Sequence, residues 1–240
     1  MIQIIPAIDL IDGKCVRLSQ GDFAQSKIYG DDPLTVAQRF EAAGLKRLHI
    51  VDLDGAKHGK ADNLDVLETI AQNTDLTIDF GGGVRTNEDL KAVFDAGASI
   101  ASVGSVAVKM PHRFFEWVEH YGSENILLGA DVRNGHLSIN GWQTVTEMEI
   151  VPFLSEYFAK GVRQAFVTDI AKDGVLQGPG TALYKQIREA LPEMELIASG
   201  GVSSMKDIDD LERAGCSGVI VGKAIYEGKI TFKELIRYVS

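Results

Sequence analysis

Short apolar runs alternate with amphipathic stretches along the whole chain. The runs QIIPAI, RLHIVDL, LTIDF, SIASVG, NILLGAD, QAFVTD, ELIASG and SGVIVG are brief and carry many β-branched residues, which suits strands buried on both faces. Between them, PLTVAQRFEAAG, NEDLKAVFDAG, PHRFFEWVEHYG and MKDIDDLERAG show helical apolar spacing and end at glycine, a usual helix stop. TALYKQIREALP has the same spacing and ends at proline. Eight strand–helix units in 240 residues predict an α/β fold, a (β/α)8 TIM barrel forming one domain over residues 1–240. Alternation alone does not show closure, so a doubly wound open sheet is the structural alternative.

An internal repeat favours the closed form. Residues 82–104 (GGVRTNEDLKAVFDAGASIASVG) overlay residues 200–222 (GGVSSMKDIDDLERAGCSGVIVG) without a gap, at a constant shift of 118, with nine identities. The chain therefore reads as two half-barrels, about 1–122 and 123–240, related by an approximate two-fold axis.

The repeat also marks where chemistry could lie. In each half one strand runs into Gly-Gly-Val and the next into Val-Gly, each ahead of a helix. Glycine lets backbone amides approach a ligand with no Cβ in the way, and a helix N-terminus adds aligned N–H donors for an anion. Gly82, Gly83, Gly104 and Ser105 in one half, and Gly200, Gly201, Gly222 and Lys223 in the other, are the candidate substrate-binding positions. Any one such loop has a plainer reading, since tight βα turns need glycine for geometry alone. The duplicated pair favours two phosphate cradles and a ligand with a phosphate at each end.

The first strand runs through IIPAIDL to Asp9, and its equivalent in the second half runs through ILLGAD to Asp131. Two carboxyls facing each other across a barrel mouth suit general acid and base work. The competing reading is that each merely caps the turn after its strand. Arg17, Arg85 and Lys223 are candidates for phosphate, or solvated loop charges; Trp142, in NGWQ, either stacks on a planar ring or covers the barrel top. Thr168 and Asp169 end the sixth strand as Val51 and Asp52 end the second, so Asp52 and Asp169 are structural ion-pair partners as readily as site residues. His49, inside the second strand, reads as a packed residue rather than a ligand.

Composition narrows the classes of partner. With 24 basic against 34 acidic side chains, a net charge of −10, a pI near 5.0 and no block of like charge, nucleic acid and anionic membranes are not expected partners. Cys15 and Cys216 fit no metal or redox spacing, the histidines show no metal spacing, and neither a dinucleotide fingerprint nor a P-loop is present. No secretory signal or membrane span is read, so the expectation is a cytoplasmic monomer with reduced thiols and no cofactor.

The segments PAIDLIDGKCVRLSQGD, HIVDLDGAK, FGGGVR, VGSVAVK, NGWQ, TDIAKDGVLQGPG, ASGGVSS and VIVGKAIYEGK together resemble the phosphoribosylformimino-aminoimidazole carboxamide ribotide isomerases of histidine biosynthesis. The resemblance spans nearly the whole chain. It implies one barrel, no metal or organic cofactor, and an Amadori rearrangement of an aminoaldose to an aminoketose on a substrate with two phosphates. It further implies Asp9 as base and Asp131 as acid, with Thr168 holding the substrate. The alternatives are the sister cyclase that makes imidazole glycerol phosphate, whose first strand usually reads Cys-Leu-Asp-Val where this chain has AIDL; a dual-substrate relative that also isomerises phosphoribosyl anthranilate; and a catalytically silent phosphosugar-binding barrel. SQGDFAQSKIYGDD and AKDGVLQGPG have the composition of mobile lids.

Overall fold

The structure is a computed structural model that describes residues 1–19, 22–29, 32–139 and 141–238. Its strands are β1 (Gln3–Ile11), β2 (Lys14–Ser19), β3 (Asp22–Ile28), β4 (Arg47–Asp52), β5 (Thr77–Gly81), β6 (Ile100–Val103), β7 (Ile126–Arg133), β8 (His136–Ile139), β9 (Thr144–Glu149), β10 (Gln164–Asp169), β11 (Glu195–Ser199) and β12 (Gly218–Val221). Eight of them run parallel in the order β1-β4-β5-β6-β7-β10-β11-β12, and β12 returns to pair with β1. The pairing of β7 with β10, and of β12 with β1, closes the sheet and removes the open doubly wound alternative. All eight apolar runs become barrel strands.

Helices fill the intervals, and their apolar faces meet the outer face of the barrel. On β4 the outward Leu48 and Ile50 are fully buried in a cluster that includes Phe40 of helix Pro33–Ala42 and Phe114 of helix Pro111–Tyr121. Each such side chain taken from water contributes about 1.5–3 kcal/mol. Inside the barrel a second, smaller cluster joins Ile5, Ala7, Ile100, Leu127, Ile197 and Ile220, with Phe166 against it. Continuing up the same inward columns, each two residues further on, come Asp9 above Ala7, Ser102 above Ile100, Thr168 above Phe166 and Ser199 above Ile197. The interior thus changes from apolar to polar toward the C-terminal ends of the strands.

The repeat is visible in the helix starts. Thr86 caps helix Asn87–Asp95 in a reciprocal box with Asp89, and Ser204 caps helix Met205–Arg213 in the same box with Asp207. The Asp89/Asp207 identity is therefore a capping pair, each carboxylate accepting the N–H of its own cap residue.

Four strands lie off the barrel, and none was among the expected runs. β1 passes Asp9 and folds back through Asp12-Gly13 into β2, which pairs with β3; β7 passes Asp131 and folds back through Asn134-Gly135 into β8, which pairs with β9. Both central pairs have left-handed φ, 49° and 70° at Asp12 and Gly13, 52° and 80° at Asn134 and Gly135. Asp-Gly and Asn-Gly are the residues that a two-residue hairpin turn with positive φ at both positions selects. The stretch expected to be a long first loop is in part a strand, β3. Gln20, Gly21, Gly30 and Asp31 of that stretch, and Asn140 of NGWQ, lie outside the described residues.

Candidate active site

The strand ends and the loops above them surround a cavity of about 350 Å3, to which Asp9 and Asp131 both contribute. Asp9 stands where β1 leaves the barrel, opposite Val16 of β2. The next residue of that hairpin, Arg17, donates from Nη1 to Asp9 Oδ2 at 2.8 Å and from Nη2 to the Ala7 carbonyl at 2.7 Å. The guanidinium also lies 5.5 Å from the Tyr226 ring centroid, and its Nε is buried without a hydrogen-bond partner. Burial opposes its charge, but Asp9 and Tyr226 outweigh burial and raise its pKa. Arg17 is thus not a solvated loop charge: it pairs with Asp9 and lines the cavity beside the second cradle.

Asp131 has different surroundings. β7 and β10 place it in register with Thr168, and it accepts hydrogen bonds from the Thr168 and Trp142 side chains. Burial pushes its carboxyl up from the usual range, although both hydrogen bonds and nearby His49 pull the other way. Trp142, at φ 69°, lines the cavity beside it. Two equivalent aspartates therefore differ in kind, one ion-paired and one held toward its neutral form.

The glycine loops take both of their expected parts. Gly82 and Gly200 have φ of 106° and 93°, and a Cβ on either would meet the backbone carbonyl oxygen of Asp52 at 2.1 Å or of Asp169 at 2.8 Å. Geometry alone demands glycine there. Gly83 and Gly201, also at positive φ, pack against the backbone of Lys60 and Gly178. Gly104 and Gly222 do not have left-handed φ, and they precede the short helices Ser105–Lys109 and Lys223–Tyr226. All eight candidate positions line the cavity. A Cβ on Gly222 would fall 1.9 Å from Arg17 Nη2, so the second cradle touches the partner of Asp9. Lys223 Nζ donates to the Gly174 carbonyl at 2.6 Å, and Arg85 is exposed at the rim with Nη2 3.3 Å from the Ala56 carbonyl.

Asp52 and Asp169 are corrected by the structure. Fully buried, Asp52 accepts from the amides of Gly55, Asp62 and Asn63 and from Asn63 Nδ2, so it ties down the loop after β4, and it has no cationic partner among the described residues. Asp169 accepts from the Ala171 amide, and a Cβ on Gly180 would lie 2.3 Å from its Oδ2. Both cap loops rather than forming ion pairs.

Two residues enter the site that the sequence did not bring forward. Asp173, in the loop after β10, lines the cavity, and burial together with the charges of Asp9 and Asp131 outweighs Arg17 and pushes it up to about 6. A signal was present: Ala56–Gly59 reads AKHG and Ala171–Gly174 reads AKDG, a small second match between the halves. His49, expected to be packed, is 5% exposed and also forms part of the cavity wall. Among the described residues no group of three or more His, Cys, Asp or Glu could hold a metal ion.

Residues 3–231 match the family described as histidine biosynthesis protein. The isomerase of Parabacteroides distasonis named 1-(5-phosphoribosyl)-5-((5-phosphoribosylamino)methylideneamino) imidazole-4-carboxamide isomerase is 53% identical over 99% of this chain and 100% of its own. Proteins of that name from Phocaeicola vulgatus and Cytophaga hutchinsonii are 55% and 50% identical, each over 99% of this chain and at least 99% of their own length. On a family match spanning nearly its whole length, and relatives at half identity or better, the chain belongs to the histidine biosynthesis protein family.

Proposed function

We propose that this chain is the isomerase its relatives are named for, converting the aminoaldose bisphosphate to the aminoketose by an Amadori rearrangement. The observation that carries the reading is the pair of equivalent aspartates on one cavity in opposed electrostatic settings. Asp131, kept toward its protonated form by burial, is the group that gives a proton to the ribose ring oxygen, and the ring opens to a Schiff base at C1′. Asp9, anchored by Arg17, takes the proton from C2′, leaving an enolamine between C1′ and C2′. Protonation at C1′ and loss of the O2′ proton then give the ketone, so hydrogen has moved from C2′ to C1′ and no external oxidant or reductant is needed. Thr168 and Trp142 hold the Asp131 carboxyl in place against the substrate.

The two glycine cradles, Gly82, Gly83, Gly104 and Ser105 on one side and Gly200, Gly201, Gly222 and Lys223 on the other, are where the two phosphates bind. Mostly neutral amides would serve as donors, which lets a chain of net charge −10 accept an anion. The partner is thus a small bisphosphate and not nucleic acid or membrane, and no helix among the described residues is long and apolar enough to cross a membrane. We place the chain in the cytoplasm as a monomer with reduced thiols, and both Cys15 and Cys216 are buried.

The test is a cofactor-free assay of the purified protein on the aminoaldose bisphosphate, with phosphoribosyl anthranilate beside it. Turnover of the first alone is expected. Turnover of both would make the enzyme dual-substrate; turnover of neither would return the sister cyclase, assayed with the ketose and ammonia, and the silent binding barrel.

A further inference from the structure

Behind Asp9 stands a stack of four side chains that the mechanism above leaves unused. From the outside inward, Lys27 Nζ lies 4.8 Å from the Tyr29 ring centroid, the Tyr29 and Tyr226 centroids are 4.8 Å apart, and the Arg17 guanidinium lies 5.5 Å from the Tyr226 centroid. Two cations thus bracket two aromatic rings. The β2–β3 hairpin supplies Arg17 and Lys27 as register partners, and Tyr226 comes from the short helix Lys223–Tyr226 after β12. Lys27, at the outer end, is exposed; Arg17, at the inner end, is bonded to Asp9.

Packing alone does not call for a tyrosine at 226. Its ring meets Phe40 edge-on, with centroids 6.3 Å apart, and leucine would also fill that contact. What only an aromatic ring supplies is a negative face for a cation. Arg17 uses its N–H groups elsewhere, donating to Asp9 Oδ2 at 2.8 Å and to the Ala7 carbonyl at 2.7 Å, while its cationic centre lies over the ring. The Tyr226 hydroxyl donates to the same Ala7 carbonyl at 3.2 Å, so ring and guanidinium are tied to one acceptor. Such a hold is needed here, because Arg17 has rivals to Asp9. Asp173 lines the same cavity and its charge also draws on the guanidinium, and Nη2 adjoins Gly222 of the second cradle. A carboxylate behind Arg17 would compete with Asp9 for the N–H groups; an uncharged ring holds the cation without doing so.

We propose that Tyr226 is a positioning residue of the reaction: its ring holds the Arg17 guanidinium on Asp9 and so fixes the carboxylate that takes the C2′ proton. The inference rests on the isomerase reading. Tyr226 acts through Arg17, since it stands behind the cavity wall and does not line the cavity. Without the ring, the guanidinium turns toward Asp173 or toward a phosphate in the second cradle, and Asp9 loses the bond that orients it. Misplacing the base slows proton abstraction, so the loss falls on kcat.

Leucine at 226 keeps an apolar volume and removes the aromatic face, whereas phenylalanine keeps the face and removes only the hydroxyl. Tyr226→Leu is expected to lower kcat about fivefold or more, and Tyr226→Phe to restore it to within about threefold of wild type. In an Arg17→Met background, Tyr226→Leu should change kcat by less than about twofold, because no guanidinium is left to hold. A ring needed only for packing would lower kcat by the same factor in both backgrounds. That result overturns the inference, as does a Tyr226→Leu enzyme within about threefold of wild type or a Tyr226→Phe enzyme as slow as the leucine variant. Should leucine prevent folding, phenylalanine at 226 bearing one, two and then three ring fluorines keeps the volume while withdrawing charge from the face. Turnover should fall stepwise along that series, and a flat series refutes the role. Failure of wild type to turn over the aminoaldose refutes the isomerase reading instead, so the two failures are distinct.

Discussion

At Asp9 and Asp131 the same side chain at equivalent positions has opposite surroundings, Arg17 at one and burial with Thr168 and Trp142 at the other, and the proposed acid and base tasks rest on that difference. Removing either charge while keeping shape should show this. Asp9→Asn and Asp131→Asn are each expected to lower kcat by about 10²–10⁴-fold while product binding, followed by calorimetry, stays within a few-fold; retained turnover in both would remove acid–base catalysis by this pair. Asp173 makes a prediction of another sort. Burial and its two acidic neighbours raise it from 3.8 to about 6, so between these values the folded state holds a proton that the unfolded state has released. Stability from this group is therefore lost as pH rises from about 4 to about 6, and the strain at neutral pH is about 1–3 kcal/mol. Asp173→Asn should melt higher than wild type at pH 7.5, with the difference vanishing toward pH 4 in scanning calorimetry. Equal melting temperatures at pH 7.5 would show that Asp173 stands relaxed at its place in the mouth.

The two rim hairpins and the glycine turns act as whole elements. Gly82 and Gly200 abut the carbonyls of Asp52 and Asp169 at left-handed φ, whereas Gly222 is not left-handed and faces the Arg17 guanidinium, itself held by Asp9 and the Ala7 carbonyl. Alanine at 82 or 200 should thus cost about 1–3 kcal/mol of stability, read in denaturant titrations. Alanine at 222 should instead act through Arg17, displacing its guanidinium from Asp9 and lowering activity. An alanine variant at 222 with full activity would contradict that contact. The β2–β3 hairpin has its own anchor: Lys27 Nζ and the Tyr29 hydroxyl both donate to Glu227 Oε1, at 2.7 and 2.6 Å, and the Tyr29 and Tyr226 rings lie 4.8 Å apart. We expect Glu227→Ala to speed tryptic cleavage after Lys27 with no change in melting temperature, since exposed pairs add little to global stability while holding a segment locally. Saturating product should slow the same cleavage in wild type.

For the whole molecule, closure by β7–β10 and β12–β1 converts a linear repeat into a ring in which equivalent strand ends face one another. Asp9 and Asp131 are 122 residues apart in the chain and share one cavity for that reason. The ring also explains the gradient along each inward column. Side chains at the lower and middle levels must fill the barrel, and those at the upper level meet solvent and ligand. The Arg47–Asp79–His49 row runs against that gradient, placing paired charges among otherwise apolar inward columns.

Run lengths, glycine stops and the gapless repeat determined the eight strands, their order along the chain and the equivalence of Asp9 with Asp131, because these depend on periodicity and local turn chemistry that a linear string carries. The rim hairpins were also written there, in Asp12-Gly13 and Asn134-Gly135, but the runs that follow are short and polar and lie off the core, so apolar periodicity did not reveal them. What tertiary structure alone decided is which charges meet: Arg17 on Asp9, Asp52 and Asp169 as loop caps, Asp173 beside the two aspartates, and His49 oriented by Asp79 from the neighbouring strand. Whether a charge is paired, buried or free depends on distance and dielectric, and both are set only once the barrel has closed.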